Sequence, residues 1–79
     1  MKKKAINEMI EDIWCKVLEI DQVEDDNNFF DLGGHSLLVV EMIYELEEAF
    51  NIEINQADYI LEVTTFKDCV EFIKKRVKM

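Results

Sequence analysis

The sequence predicts an all-α domain of four helices, three main and one short, with a long loop between the first and the second. Three observations carry this reading. The chain has no proline and only two glycines, the adjacent Gly33 and Gly34, so the two strongest helix breakers are confined to one point. Apolar residues recur at three- and four-residue spacing over most of the rest. At 79 residues and 49% hydrophobic content, the chain is long enough for one domain, spanning 1–79, and apolar enough to fold. Such a domain buries roughly 60% of the surface its unfolded chain exposes. A core that small leaves no room for a deep catalytic cleft, which favours a presenting or binding module over a self-sufficient enzyme.

The first helix is expected from Lys4 to Ile20, with Ile6, Met9, Ile10, Ile13, Trp14, Val17 and Leu18 on one buried face. Trp14 belongs to that core face, and Cys15 falls off it, partly exposed. From Asp21 to His35 the pattern stops and the chain turns polar and acidic. A connection of this length in so small a domain carries function or is pinned by its own side chains; Val23, Phe29, Phe30 and Leu32 are the expected pins. Its acids do not make a calcium loop, because the turn glycine and the bidentate glutamate are missing. The second helix runs from Ser36 to Phe50, followed by Ile52-Glu53-Ile54 and a short helical stretch from Asn55 to Leu61. The last helix starts at Thr64 or Thr65, where a threonine with Asp68 behind it resembles a capping box. Its buried stripe is Phe66, Cys69, Val70, Ile73 and Val77. Lys74, Lys75, Arg76 and Lys78 lie in its final turns, where positive charge suits the helix dipole.

The net charge is -9, and no Lys or Arg occurs between Val17 and Phe66. Such a surface repels phosphate backbones, which disfavours nucleic acid as a partner, and attracts basic protein surfaces. Two cysteines fall short of a disulfide framework and lack metal-ligand spacing. No leader pattern follows Met1 and no apolar run is long enough to span a bilayer. The expectation is a monomeric cytoplasmic protein with reduced thiols, no metal and no membrane association.

The chemistry concentrates in Phe29-Phe30-Asp31-Leu32-Gly33-Gly34-His35-Ser36-Leu37. Adjacent glycines permit unusual backbone angles and close approach of another molecule. Ser36 then opens a helix, where unpaired N–H groups and the positive dipole end favour a phosphate. A phosphodiester on Ser36 suits that environment. Ser36 also reads as an N-cap, and the two roles are compatible. A catalytic serine is disfavoured: there is no Gly-x-Ser-x-Gly elbow, no strand precedes it, and His35, the sole histidine, is badly placed as its immediate neighbour.

This nine-residue stretch resembles the signature of peptidyl carrier (thiolation) domains of nonribosomal peptide synthetases, within the acyl carrier protein family. The four-helix pattern resembles that family over essentially the whole chain. The resemblance implies that Ser36 accepts 4'-phosphopantetheine from coenzyme A through a separate phosphopantetheinyl transferase. It further implies that Gly33, Gly34 and His35 shape this site. The arm then holds an aminoacyl or peptidyl group as a thioester, while the carrier itself catalyses nothing. An adenylating or acyl-activating enzyme loads it, and condensing or tailoring enzymes receive the cargo. Acyl carriers of fatty-acid synthesis usually have aspartate at the position of His35, so the histidine points to the peptide-synthetase type. An acyl carrier of a polyketide, fatty-acid or envelope acylation route is the alternative. The histidine's expected part is in loop conformation and transferase recognition.

Helix two supports docking on its own terms. At about 100° per residue, Val39, Met42, Ile43, Leu46 and Phe50 form its core stripe. Leu37, Val40 and Tyr44 fall on nearly the opposite side, among Glu41 and Glu48, with Glu45 and Glu47 on the flanks. An apolar strip rimmed by acids beside a modifiable serine fits a transient interface made of Leu37, Val40, Glu41, Tyr44, Glu47 and Glu48. Tyr59 and Ile60 stay open between an extension of this surface and the core. Helix one starts almost at Met1 and the chain ends soon after helix four, as expected of a freestanding protein; a domain cut from a megasynthase with an added Met1 would look similar.

Overall fold

The computed structural model describes residues 5–77. Helical periodicity becomes four helices in chain order: α1 (Ile6–Leu18), α2 (Ser36–Phe50), α3 (Gln56–Glu62) and α4 (Phe66–Arg76). The predicted all-α architecture, with three main helices, one short one and a long first loop, is the observed one. Their ends are set without glycine or proline. Glu19 and Asn51 close α1 and α2 in the left-handed conformation, at φ 57° and 55°. The backbone N–H groups of Glu19 and Ile20 both return to the carbonyl of Cys15, recovering acceptors that the helix end leaves open. Helix α1 therefore stops at Leu18, two residues before the predicted end, and Ile20 packs on the core from outside the helix. The predicted start at Lys4 lies outside the described residues.

Side chains cap the later helices. The Asn55 carboxamide oxygen accepts from the Asp58 N–H at 3.0 Å, so Asn55 precedes α3 rather than opening it. At α4 the expected capping box forms on Thr65: its hydroxyl accepts from the Asp68 N–H, and the Asp68 carboxylate accepts from the Thr65 N–H, both at 3.2 Å. The same carboxylate also takes the Thr64 N–H.

Helix α1 packs against α2 and α4, and α3 packs on α4. Trp14 is fully enclosed, with the edges of Phe29 and Phe66 meeting it at 5.5 and 5.3 Å between centroids. One side chain thus joins α1, the long loop and α4. Phe29 is a buried pin of the loop, as predicted, and Val23 is another. Phe30 is not: it is 56% exposed, turned outward with its ring edge-on to Phe29 at 5.5 Å. Phe72, absent from the predicted stripe of α4, is buried because α4 faces two neighbours. Its ring meets Tyr59 of α3 at 5.4 Å, and the Arg76 guanidinium covers it at 3.5 Å. Val77 lies one residue past α4 and still packs on the core. Lys16 and Glu45 pair at 3.2 Å between α1 and α2, but Lys16 is well exposed and the pair contributes little. Among the described residues no helix is long and apolar enough to cross a membrane.

Candidate functional site

The loop from α1 to α2 is built by two asparagines. The Asn27 carboxamide oxygen accepts from the Glu24 N–H at 2.8 Å, closing the first half. That of Asn28 accepts from the Phe30 and Asp31 N–H groups at 2.8 and 3.2 Å, opening the second. Backbone bonds then lock this half to the start of α4. Phe29 N–H donates to the Thr64 carbonyl, Phe66 N–H to that of Asn27, and Lys67 N–H to that of Asp25. Sequence reasoning missed this clamp. The consecutive asparagines were its only local sign, and the partners at Thr64–Lys67 are remote in the chain.

From Asn28 the backbone winds tightly into the glycine pair. Gly33 N–H donates to the Phe30 carbonyl and Gly34 N–H to that of Phe29, at 3.2 and 3.0 Å. The two glycines are required for different reasons. Gly33 has φ +101°, a region that side-chain-bearing residues avoid, with open space around it. Gly34 has no such angle, but a Cβ there would overlap the Phe29 ring, standing 2.8 Å from Cζ and closer still to Cε2 and Cδ2.

Ser36 is the first residue of α2 and is exposed. The N-cap position expected for it belongs to His35, whose extended backbone (φ -151°) enters the helix without a side-chain cap. Ser36 therefore keeps a hydroxyl with no hydrogen-bond partner among the described residues. No acidic residue occupies the first turn, and no side chain closes the N–H groups of Ser36, Leu37 and Leu38. A phosphodiester on the Ser36 oxygen fits this donor set and the dipole behind it.

Along α2, Val39, Met42, Ile43 and Leu46 are buried, whereas Leu37 (76%), Val40 (50%) and Tyr44 (59%) are exposed, with Glu41 and Glu48 exposed among them. Glu47 departs from this strip. It is half-buried and its carboxylate accepts from the Ile54 N–H at 2.9 Å, so it holds the chain after α2 instead of lining the outer face. Tyr59 belongs to the core and Ile60 is exposed. Leu61 is 81% exposed, and the sequence does not mark it, since a seven-residue helix is too short for its apolar face to be read by period. A cleft of about 20 Å³ lies among Phe29, Phe30, Val39, Tyr59, Ile60 and Val63. Its walls are apolar.

Neither cysteine is an activated nucleophile. Burial, then the charges of Glu11, Asp12 and Asp21, raises the Cys15 pKa. Burial pushes Cys69 up to about 11, with its sulfur 3.6 Å from the Tyr59 hydroxyl. Both are thiols, not thiolates, at neutral pH. Among the described residues no group of three or more His, Cys, Asp or Glu is placed to hold a metal ion.

The chain is similar to known proteins in sequence and in fold. The family described as "Phosphopantetheine attachment site" matches residues 8–73. Tyrocidine synthase 3 of Brevibacillus parabrevis is 32% identical over 76 residues, which are 96% of this chain and 1% of that protein. The acyl carrier protein of Guillardia theta is 39% identical over 80 residues, 98% of each chain. A solution structure of a non-covalent docking-domain complex of the Pax nonribosomal peptide synthetase, PaxA T1-CDD/PaxB NDD, superposes with a TM-score of 0.79 at 32% identity. That match covers 95% of this chain and 71% of the other. The chain thus spans about 1% of the length of the synthase it matches, and nearly all of the acyl carrier protein.

Proposed function

Because the chain belongs to the phosphopantetheine-attachment family of carrier domains, we propose that Ser36 is its attachment point and that residues 1–79 act as one carrier unit. The observation that carries this is the exposed, unpartnered Ser36 hydroxyl on the first residue of α2, behind a glycine turn and beside uncapped N–H groups. When bound, 4'-phosphopantetheine supplies a flexible arm whose thiol holds an acyl group as a thioester. The protein's own residues place and present that arm. Gly33 and Gly34 shape the turn, and His35 sets the entry into α2 and forms part of what the transferase recognises. The domain presents cargo and does not transform it.

The cargo is aminoacyl or peptidyl, and the setting is nonribosomal peptide or related natural-product biosynthesis. His35 and the synthetase relatives support this. The Guillardia theta relative favours a second reading, an acyl carrier of a lipid or polyketide route. Charging assays with amino-acid-activating and acyl-activating enzymes separate the two.

Partners are a phosphopantetheinyl transferase, an adenylating enzyme and downstream condensing or tailoring enzymes. They dock on Leu37, Val40, Glu41, Tyr44 and Glu48. The acidic rim steers basic partner surfaces to this strip and disfavours nucleic acid. Free Cys15 and Cys69 accord with a reducing cytoplasmic setting.

The test is intact mass after incubation with coenzyme A and a broad-specificity transferase, beside Ser36→Ala. A gain of one phosphopantetheine on wild type alone is expected. No gain on folded wild type, with a known carrier labelled in parallel, overturns the assignment of Ser36.

A further inference from the structure

No bond joins the Asn28 side chain to Ser36 or to α2, yet the first turn of the winding that leads to Ser36 is closed on Asn28. Its carboxamide oxygen holds the Phe30 and Asp31 N–H groups. Its carbonyl accepts from the Leu32 N–H at 3.1 Å. These bonds fold the chain back so that the Phe29 carbonyl meets the Gly34 N–H and the Phe29 ring lies against Gly34, with no room for a Cβ between them. Gly34 is two residues from Ser36. On its other side Asn28 forms an antiparallel bridge with Thr65, flanked by the bonds from Phe29 to Thr64 and from Phe66 to Asn27. Asn28 thus joins the rigid start of α4 to the turn that carries the serine.

We propose that Asn28 is a positioning residue for modification at Ser36, acting through the Phe29–Gly34 contact to fix where the hydroxyl stands at the start of α2. The inference rests on the attachment reading of Ser36. Without the Asn28 acceptor, two N–H groups lose their partner, the turn loosens and the serine samples several positions. The exposed strip of α2 is untouched, so a transferase still binds but finds the hydroxyl misplaced. The cost therefore falls on kcat and leaves KM in place.

Asn27 is the internal control. It is an adjacent asparagine with its own loop bond, but that bond closes the Glu24–Asn27 turn, away from Gly34. The experiment compares wild type, Asn28→Ala, Asn28→Asp and Asn27→Ala. Two readouts are taken: steady-state kinetics of transfer from coenzyme A, and amide hydrogen exchange of the unmodified proteins by NMR. Asn28→Ala is expected to lower kcat by about tenfold with KM held within about twofold, and to speed exchange at Gly34. Asn28→Asp, which keeps the acceptor oxygen, is expected to recover both. Asn27→Ala should leave kcat and Gly34 near wild type. Wild-type kcat in Asn28→Ala, or equal losses in the two alanine variants, overturns the proposal. If folded wild type takes no phosphopantetheine, the attachment reading fails instead. Exchange at Gly34 still decides separately whether Asn28 holds the turn, and unchanged exchange in Asn28→Ala overturns that.

Discussion

Replacing Gly34 by alanine tests whether the serine-bearing turn is shaped by packing or by backbone freedom. A methyl group there would overlap Cε2 and Cδ2 of Phe29 and stand 2.8 Å from Cζ. The ring has little freedom to retreat, since Phe29 is 5% exposed and has Trp14 and Phe30 edge-on at 5.5 Å each. Inserting a methyl group into a packed site costs about 1–3 kcal/mol, and the depth of the overlap with a core aromatic ring places Gly34→Ala in the upper part of that range. For a domain this small, about 2–3 kcal/mol lowers the melting temperature by about 10–20 °C. Gly33→Ala provides the contrast. It meets no atom within 4 Å but must hold φ +101°, a backbone strain of about 1–3 kcal/mol that owes nothing to Phe29. The assay is urea unfolding followed by far-UV circular dichroism, run as a double-mutant cycle with Phe29→Leu. Trimming the ring should reduce the cost of Gly34→Ala by at least about 1 kcal/mol and leave that of Gly33→Ala unchanged. Equal costs for Gly34→Ala in the two backgrounds would refute the packing argument.

The two faces of α2 should separate stability from function. Leu46→Ala, at a site with no exposure, should cost about 2–5 kcal/mol. Val40→Asp or Glu41→Lys should stay within about 0.5 kcal/mol in urea unfolding while impairing turnover by partner enzymes. The opposite pattern would reverse the assignment of the faces. Alkaline pH should destabilise the fold through Cys69, whose pKa burial raises from 9.0 to about 11. An acid whose folded pKa is raised deprotonates first in the unfolded chain. Stability is therefore full below about pH 9 and falls as pH rises towards about 11, by roughly 2–3 kcal/mol. Buried Tyr59, also raised, acts in the same direction at higher pH. Unfolding free energies at about pH 8 and about pH 10.5 should diverge less in Cys69→Ala than in wild type, and equal divergence would rule out the thiol.

Local pattern made the helices legible, and distance in the chain concealed the rest. Trp14, Leu46 and Cys69 repeat with the helical period, so their burial followed from spacing alone. The Thr65–Asp68 box was readable because both partners lie within one turn. Phe72 was not readable, because its burial depends on α3 lying across α4, a tertiary fact that one helix's periodicity does not contain. Phe29 and Phe30 are chemically identical neighbours, and only the turn held by Asn28 decides that the first enters the core and the second faces outward. Glu47 looked like its exposed acidic neighbours until the chain after α2 returned to present the Ile54 N–H to it. Ser36 was identifiable as a candidate from its surroundings in sequence. Its freedom from capping was not, because that depends on His35 taking the N-cap position.

The loop's anchorage explains how so small a domain can offer a site without weakening itself. Backbone bonds from residues 25–29 reach α4, and the ring of Phe29 reaches Trp14. Rigidity therefore comes to the serine turn from the side away from solvent. Nothing on the outer strip of α2 takes part in that support: Leu37, Val40 and Tyr44 are left exposed, while Glu45 and Glu47, half-buried, are tied to Lys16 and Ile54. The surface proposed to meet partner enzymes is thereby freed from holding the fold together. The uncapped first turn follows the same division. A side-chain cap at position 35 would contribute about 1 kcal/mol to α2, but it would occupy the N–H groups that a phosphodiester at Ser36 would use. Side chains cap α3 and α4 through Asn55 and Thr65, whereas Ala5 and His35 provide no such cap to α1 and α2; at α2 the N–H groups left open lie beside the residue proposed to be modified.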